Sequence, residues 1–396
     1  MMVTVVRTLS ILLAFALQTS SVGASSDPSD PPPDSAAHAV ATTTVPPASP
    51  PLVDAESWAV FDQIVSNRLV DRGDLAAGVA VSVDGRLVHV AAYGRRTPVD
   101  PIDYTVPTDR FRIASISKLL TAVTVLRLVE AGHIGLDEPV AARIAASLGV
   151  SPNDGWSTVT VRQLLSHTGG VPKYRGQFFG GDFTTCEGAA IYGLSNGLDR
   201  SPGTAHVYSN LNFCLLGLLI ADITGRSYEE SVNDLVLRPL GIRGARTVGT
   251  YGANISEVVH PSAPGRAYME ALGGAGAWVA TPADLVRLVD SLDTTRPGWH
   301  PLSAELAALM PIPMAGVSFP DPGQRLYGLG TIVWPDGSWG HTGTVEATHA
   351  MVAHRPDGVT WSILVSGETP AETESLRDVF ADALAGAGIT LTAPLA

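Results

Sequence analysis

From Leu119 to Val129 the chain reads Leu-Leu-Thr-Ala-Val-Thr-Val-Leu-Arg-Leu-Val, apolar on nearly every face of a helix. A helix patterned that way cannot lie on a surface, so other elements must wrap it. The run is too short to span a bilayer. At 396 residues the chain is long enough to supply the wrapping, as one large domain or two.

Directly ahead of this run stands Phe111-Arg-Ile-Ala-Ser-Ile-Ser-Lys118. It places Ser115 and Lys118 at i and i+3, one helical face, where Cβ atoms lie roughly 5–6 Å apart. A serine hydroxyl is a poor nucleophile until a base takes its proton, and a neutral lysine amine can be that base. Ser-x-x-Lys alone has little specificity, since a chain of this length holds about one or two by chance. Lysine usage sharpens it. The 25 basic residues include only two lysines, Lys118 and Lys173. Arginine cannot replace a base that must lose its proton, because its pKa stays above ~12. The demand is steep: lowering a lysine from ~10.4 to ~7 costs about 4–5 kcal/mol. Burial, a nearby positive group and a helix N-terminus are the means.

The formal net charge of −13 argues against a nucleic-acid or anionic-membrane partner, both of which need a basic surface. Arg7, the apolar Leu9–Leu17 stretch and Val22-Gly23-Ala24 read as a secretory signal over residues 1–24, giving a secreted, extracytoplasmic protein. Residues 25–53, rich in Pro, Ala, Ser and Thr, read as a disordered tether. The folded domain is expected over 54–396, opening with Asp54 as N-cap of a helix that carries Trp58, Phe61, Val65 and Leu69 on one face. Cys186 and Cys214 are the only cysteines. In an exported protein they are a disulfide candidate worth about 3.5 kcal/mol, with two buried thiols as the alternative.

The β-rich runs from Ala77 and from Arg86, joined by Asp84-Gly85, predict a hairpin with a type I′ turn. Helix starts are expected at the capping boxes Thr160–Gln163 and Ser227–Glu230, and at Thr281, with Pro282 at the first helical position. Strands are expected again over Tyr327–Trp334, Gly340–Gly343, Ala347–Arg355 and Val359–Ser366, then a helix from Glu372 to Leu384. Strands at both ends predict a mixed α+β fold. Its antiparallel sheet is built from the N- and C-terminal strands and flanked by helices, with a mostly helical insertion over about 130–300.

Two further motifs carry chemistry. In Tyr208-Ser209-Asn210 a phenol of lowered pKa could relay a proton, and the asparagine could position both the amine and a substrate carbonyl. Taken alone it is a helix-capping turn. His341-Thr342-Gly343, followed by Thr344, reads as a strand edge along which a substrate can lie. An earlier copy, His167-Thr168-Gly169, is better explained as a helix-ending turn. Gly193-Leu-Ser195-Asn-Gly197 matches the nucleophile elbow of α/β-hydrolases but lacks the strand before it and the helix after it. No metal site is expected: His349 and His354, five apart in a strand, point to opposite faces.

Together, Ser115-Ile-Ser-Lys118, Tyr208-Ser-Asn210 and His341-Thr-Gly343, in that order, resemble the serine β-lactamase and penicillin-binding-protein superfamily. The likeness is to its class C-like branch, with its DD-peptidases and esterases, and covers roughly Asp54 to the C-terminus. The resemblance implies a β-lactamase/transpeptidase-like fold and a serine hydrolase without cofactor. The alternative is a non-catalytic penicillin- or peptidoglycan-peptide-binding or sensing protein, against which the intact Ser115, Lys118 and Tyr208 count. The hydrolase would act as a monomer on a β-lactam, a D-Ala-D-Ala peptide or an ester. It also implies Ser115 as acylated nucleophile, Lys118 and Tyr208 as its base pair, and Asn210 holding substrate and lysine. His341, Thr342, Gly343 and Thr344 would bind substrate, with His341 facing its carboxylate, and the N–H groups of Ser115 and Thr344 would form the oxyanion hole. The sequence departs from the family at His341, where many relatives have lysine, and at Glu346-Ala347, where they often have Pro-Gly.

Overall fold

The computed structural model describes residues 53–70, 75–320 and 325–391. The leader expected over 1–24 and the tether up to residue 52 lie outside the described residues.

Asp84 and Gly85 both adopt left-handed backbone (φ 50° and 71°), which closes β1 (Ala76–Val83) onto β2 (Arg86–Gly94) as a hairpin. Three short strands follow: β3 (Phe111–Arg112), β4 (Arg246–Thr247) and β5 (Trp278–Ala280). These form a small separate sheet in the order β3-β5-β4. Five come late: β6 (Leu326–Tyr327), β7 (Ile332–Val333), β8 (Trp339–Val345), β9 (Thr348–His354) and β10 (Val359–Ser366). The main sheet runs β2-β1-β10-β9-β8-β7-β6, every neighbouring pair antiparallel. The N-terminal hairpin joins the C-terminal strands through β1 and β10, in continuous register from Ala76 opposite Ser366 to Val83 opposite Val359.

The single strand expected over Tyr327–Trp334 is two strands, β6 and β7, folded back at Gly328–Thr331. Close packing is the reason. A Cβ on Gly328 would lie 2.0 Å from the Met310 carbonyl oxygen, and one on Gly330 would lie 2.4 Å from Ala122 Cβ. The turn is thus pressed onto the central helix. The last helix likewise starts later than expected, at Leu376 and running to Gly386, after a 3₁₀ turn over Thr373–Ser375.

Two apolar layers clothe the main sheet. On one face the Ala55–Leu69 helix lays Trp58, Phe61, Val65 and Leu69 against Phe380 and Ala383 of the C-terminal helix and against the strands. On the other lies the larger core, built around the Ser117–Glu130 helix, whose residues from Ser117 to Leu126 are all buried. At about 1.5–3 kcal/mol for each fully buried Leu or Val, this helix is a principal source of cohesion. The helices around it start where the sequence marks them. Thr160, Ser227 and Thr281 each accept from the N3 backbone while the N3 side chain bonds back.

Candidate active site

Ser115 sits in a single 3₁₀ turn, Ala114–Ile116, that runs straight into the Ser117–Glu130 helix. Ala114 takes a left-handed backbone (φ 45°), which costs an alanine roughly 1–2 kcal/mol and is tolerated because the surroundings fix it. The kink turns Ser115 toward the strand edge of β8. Lys118 follows in the first helical turn, with no solvent exposure.

The Lys118 amine has three oxygen partners: Asn210 Oδ1 at 2.9 Å, the Ala275 carbonyl at 2.7 Å and Ser115 Oγ at 3.1 Å. Asn210 Oδ1 and a backbone carbonyl can only accept. A neutral amine has two N–H bonds and one lone pair, so those two acceptors take both N–H bonds. The lone pair is left facing the Ser115 hydroxyl. Burial holds the Lys118 amine well below its ordinary pKa of 10.5, which supplies the neutral form this geometry requires. Desolvation is the cause here, and a neighbouring cation is not needed.

Tyr208 packs beneath the amine, with Lys118 Nζ 4.9 Å from its ring centroid, and its phenol hydrogen-bonds Ser115. The expectation of a phenol with lowered pKa is corrected. Burial raises Tyr208 above its ordinary 10.0 despite the Ser115 hydrogen bond, so it stays a neutral phenol. It can pass a proton along but is no standing base. Asn210 begins the Asn210–Thr224 helix, so the Tyr-Ser-Asn turn is indeed a helix start, and one aimed at Lys118.

The β8 edge forms the opposite wall. β7 pairs only with Trp339 and Gly340, so among the described residues β8 has no strand on that side from His341 onward. A Cβ on Gly343 would lie 2.2 Å from the Ile113 carbonyl oxygen, so glycine lets the strand approach the Ser115 turn. Thr344 hydrogen-bonds Thr373 (2.5 Å), which also meets His349 (2.7 Å).

His341 differs from expectation. It is 1% exposed, its Nδ1–H donates to the Thr342 carbonyl (2.6 Å), and its Nε2 accepts from the Tyr327 hydroxyl (2.9 Å). Burial pushes its pKa down to about 3. It is therefore a neutral wall residue and offers a substrate carboxylate no positive charge.

Ser115, Tyr208, His341, Thr342 and Thr344 line one cavity of about 540 Å³. Its cations are Lys173, Arg175 and Arg325, and among the described residues no carboxylate side chain lines it. Arg325 pairs with Glu374 at 2.6 Å. Both lysines of the chain thus stand at this site, one under the nucleophile and one at the cavity wall. The scarcity of lysine in the sequence marks Lys173 as much as Lys118. The Ala275 carbonyl is a main-chain atom, so no residue type marks its role. Ser195, the rival nucleophile, ends the Cys186–Ser195 helix in an exposed position, with a helix where an elbow needs a strand. Cys186 and Cys214 form a disulfide, with Cα atoms 5.7 Å apart.

A serine activated by a buried neutral lysine, at the head of a core helix and facing a free strand edge, defines a serine hydrolase of the penicillin-recognising fold. The chain belongs to the β-lactamase family, whose model, described as Beta-lactamase, matches residues 61–385. It is 30% identical over 340 residues to penicillin-binding protein 4 of Amycolatopsis lactamdurans, covering 78% of this chain and 84% of that one. It is 27% identical over 193 residues to protein flp of Staphylococcus aureus (strain MW2), covering 48% of this chain and 38% of that one. Among solved structures, SurE with D-Leu superposes with a TM-score of 0.67 at 25% identity, covering 86% of this chain and 78% of that one. The D-amino acid amidase from Ochrobactrum anthropi SV3, complexed with L-phenylalanine amide, gives a TM-score of 0.69 at 20% identity, covering 84% of this chain and all of the other.

Proposed function

We propose that this protein is an exported serine hydrolase that cleaves an amide or ester bond through an acyl-enzyme on Ser115, with D-Ala-D-Ala carboxypeptidase-like or β-lactamase-like activity. The observation that carries the reading is the buried Lys118 amine, held by Asn210 Oδ1 and the Ala275 carbonyl and 3.1 Å from Ser115 Oγ. Ser115 Oγ attacks the substrate carbonyl carbon as its proton passes to Lys118 Nζ. The N–H groups of Ser115 and Thr344 take the developing oxyanion. The neutral Tyr208 phenol then gives its proton to the leaving nitrogen or oxygen and regains one from Lys118. Water enters on the same path, giving a proton to the base and hydroxide to the acyl carbon. As the bond from that carbon to Ser115 Oγ breaks, the base returns its proton to Oγ, which frees Ser115 and the acid product.

With His341 neutral, a substrate carboxylate would be met by Arg325, Lys173 or Arg175 on the cavity wall. The neutral His341 also favours a second reading, a class C-like esterase, whose substrate needs no carboxylate. Penicillin-binding protein 4 as a relative supports a β-lactam as ligand, and SurE holding D-Leu supports a substrate with a D-amino acid beside the scissile bond. Export rests on the Arg7, Leu9–Leu17 and Val22-Gly23-Ala24 pattern.

The test is mass spectrometry after labelling with a fluorophosphonate and with a fluorescent penicillin, comparing Ser115→Ala and Ser195→Ala. The adduct is expected on Ser115 and should vanish in Ser115→Ala alone. An adduct on Ser195 that survives Ser115→Ala would overturn the assignment. A D-Ala-D-Ala peptide, a cephalosporin and a short acyl ester, assayed side by side, then separate peptidase, β-lactamase and esterase.

A further inference from the structure

His167 ends the turn after the Val161–Leu165 helix with a left-handed backbone (φ 56°), and its side chain has no solvent exposure. It touches the Tyr208 segment at four points. Its carbonyl accepts from the Val207 N–H (2.8 Å). Its ring lies 4.3 Å, centroid to centroid, from that of Tyr208. Its Nδ1 faces the Ser209 N–H (3.3 Å) and the Asn212 side-chain amide nitrogen (2.9 Å). A backbone N–H can only donate, so Nδ1 must be the unprotonated nitrogen and the proton sits on Nε2.

We propose that His167 is a positioning residue of the reaction centre, a neutral imidazole that clamps the Val207–Asn212 segment and thereby fixes the Tyr208 phenol and the Asn210 amide against Ser115 and Lys118. The inference rests on the hydrolase reading above and adds a residue to it. An apolar residue of similar size would fill the space but leave two buried donors without an acceptor. An imidazolium would be worse, because its Nδ1–H would point at both donors. Burial holds His167 well below its ordinary pKa and keeps the acceptor in place. The two residues it bridges around, Tyr208 and Asn210, are the ones that meet Ser115 and Lys118.

The backbone conformation allows a clean separation of packing from positioning. Asparagine and glycine both accept left-handed φ, but only asparagine brings an acceptor oxygen near the position of Nδ1. The experiment measures fluorophosphonate labelling of Ser115 by mass spectrometry across reagent concentrations in wild type, His167→Asn and His167→Gly, with circular dichroism to establish folding. A 15N spectrum of the wild-type histidines reports the tautomer. The expected result is a maximal labelling rate about 100-fold lower in the glycine variant, at unchanged half-saturating concentration, recovered to within about 10-fold by asparagine. His167 is expected to show Nδ1 unprotonated and Nε2 protonated. A folded glycine variant that labels at the wild-type rate would overturn the proposal, as would a folded asparagine variant no better than glycine. So would a proton on Nδ1. Absence of any Ser115 label in wild type would instead overturn the hydrolase reading, and this assignment with it.

Discussion

Gly343 stands so close to Ile113 that a Cβ on it would fall 2.2 Å from the Ile113 carbonyl oxygen and 3.1 Å from the Ala114 Cβ. Both obstacles belong to the rigid turn that carries Ser115, so a side chain here cannot be accommodated by rotating a neighbour. Gly343→Ala is expected to push β8 away from that turn and separate the Ser115 and Thr344 amides. A shift of about 1 Å should lower the acylation rate about 100-fold while leaving the folded domain in place. Labelling kinetics with a fluorescent penicillin, beside a thermal melt, check this. A folded alanine variant acylated at the wild-type rate would show that the close approach is irrelevant to the chemistry.

Lys118 should behave as a base whose charge is suppressed by burial. Lys118→Arg keeps a donor but cannot shed its proton, so acylation should drop by about 10²–10⁴-fold, as for Lys118→Ala. In wild type, acylation should rise with pH through the lowered pKa of the amine and then level off. Stability follows with a definite sign. Between that lowered pKa and the ordinary 10.5, the unfolded chain carries a proton that the folded chain lacks. Folding therefore gains up to about 1.4 kcal/mol per pH unit across the window, complete above 10.5 and lost as pH falls to the folded pKa. Urea titrations of wild type and Lys118→Met at pH 7 and 9 test it; equal slopes in the two proteins would contradict the assignment.

The cation that meets a substrate carboxylate is expected to be Arg325 and not His341. His341, held down to about pKa 3 and bonded on both nitrogens, should contribute no titration to KM between pH 5 and 8. Arg325→Ala should raise KM for a carboxylate-bearing peptide about 5-fold, the equivalent of about 1 kcal/mol for an exposed contact. The methyl ester of the same peptide should be unaffected. An Arg325 variant that treats acid and ester alike would remove it from substrate binding.

What could be read from the sequence was whatever leaves a local mark. The all-apolar helix after Ser115 is buried, Asp84-Gly85 makes the hairpin, and Thr160, Ser227 and Thr281 cap their helices with reciprocal bonds. Each follows from a few neighbouring residues. Contacts made across the fold left no such mark. The Ala275 carbonyl on Lys118 comes from a main-chain atom that any residue could supply. The ring of His167 reaches Tyr208 from a turn that, by its own residues, reads as the end of a helix. The charge states of Tyr208 and His341 depend on burial, which only the packed structure fixes. The fold between β6 and β7 was hidden for a related reason: Gly328 and Gly330 are demanded by Met310 and Ala122, not by adjacent residues.

The Cys186–Cys214 bridge joins the start of the Cys186–Ser195 helix to the middle of the first half of the Asn210–Thr224 helix, whose first residue holds Lys118. Two effects of breaking it can be told apart. Restricting the unfolded chain over a separation of 28 residues is worth about 3.5 kcal/mol, whatever happens at the site. Moving Asn210 would instead disturb the amine. Asn210 is already fixed by its bond to Lys118, and the Ser209 hydroxyl at the helix cap donates to the Pro172 carbonyl at 2.6 Å. The buried residues Leu211, Phe213 and Leu215 pin the helix independently of the bridge. The double variant Cys186→Ala, Cys214→Ala is therefore expected to lose about 3 kcal/mol in urea unfolding and yet label at Ser115 at close to the wild-type rate at 25 °C. Labelling that collapses while unfolding stability is retained would reverse the conclusion and make the bridge a support of the site.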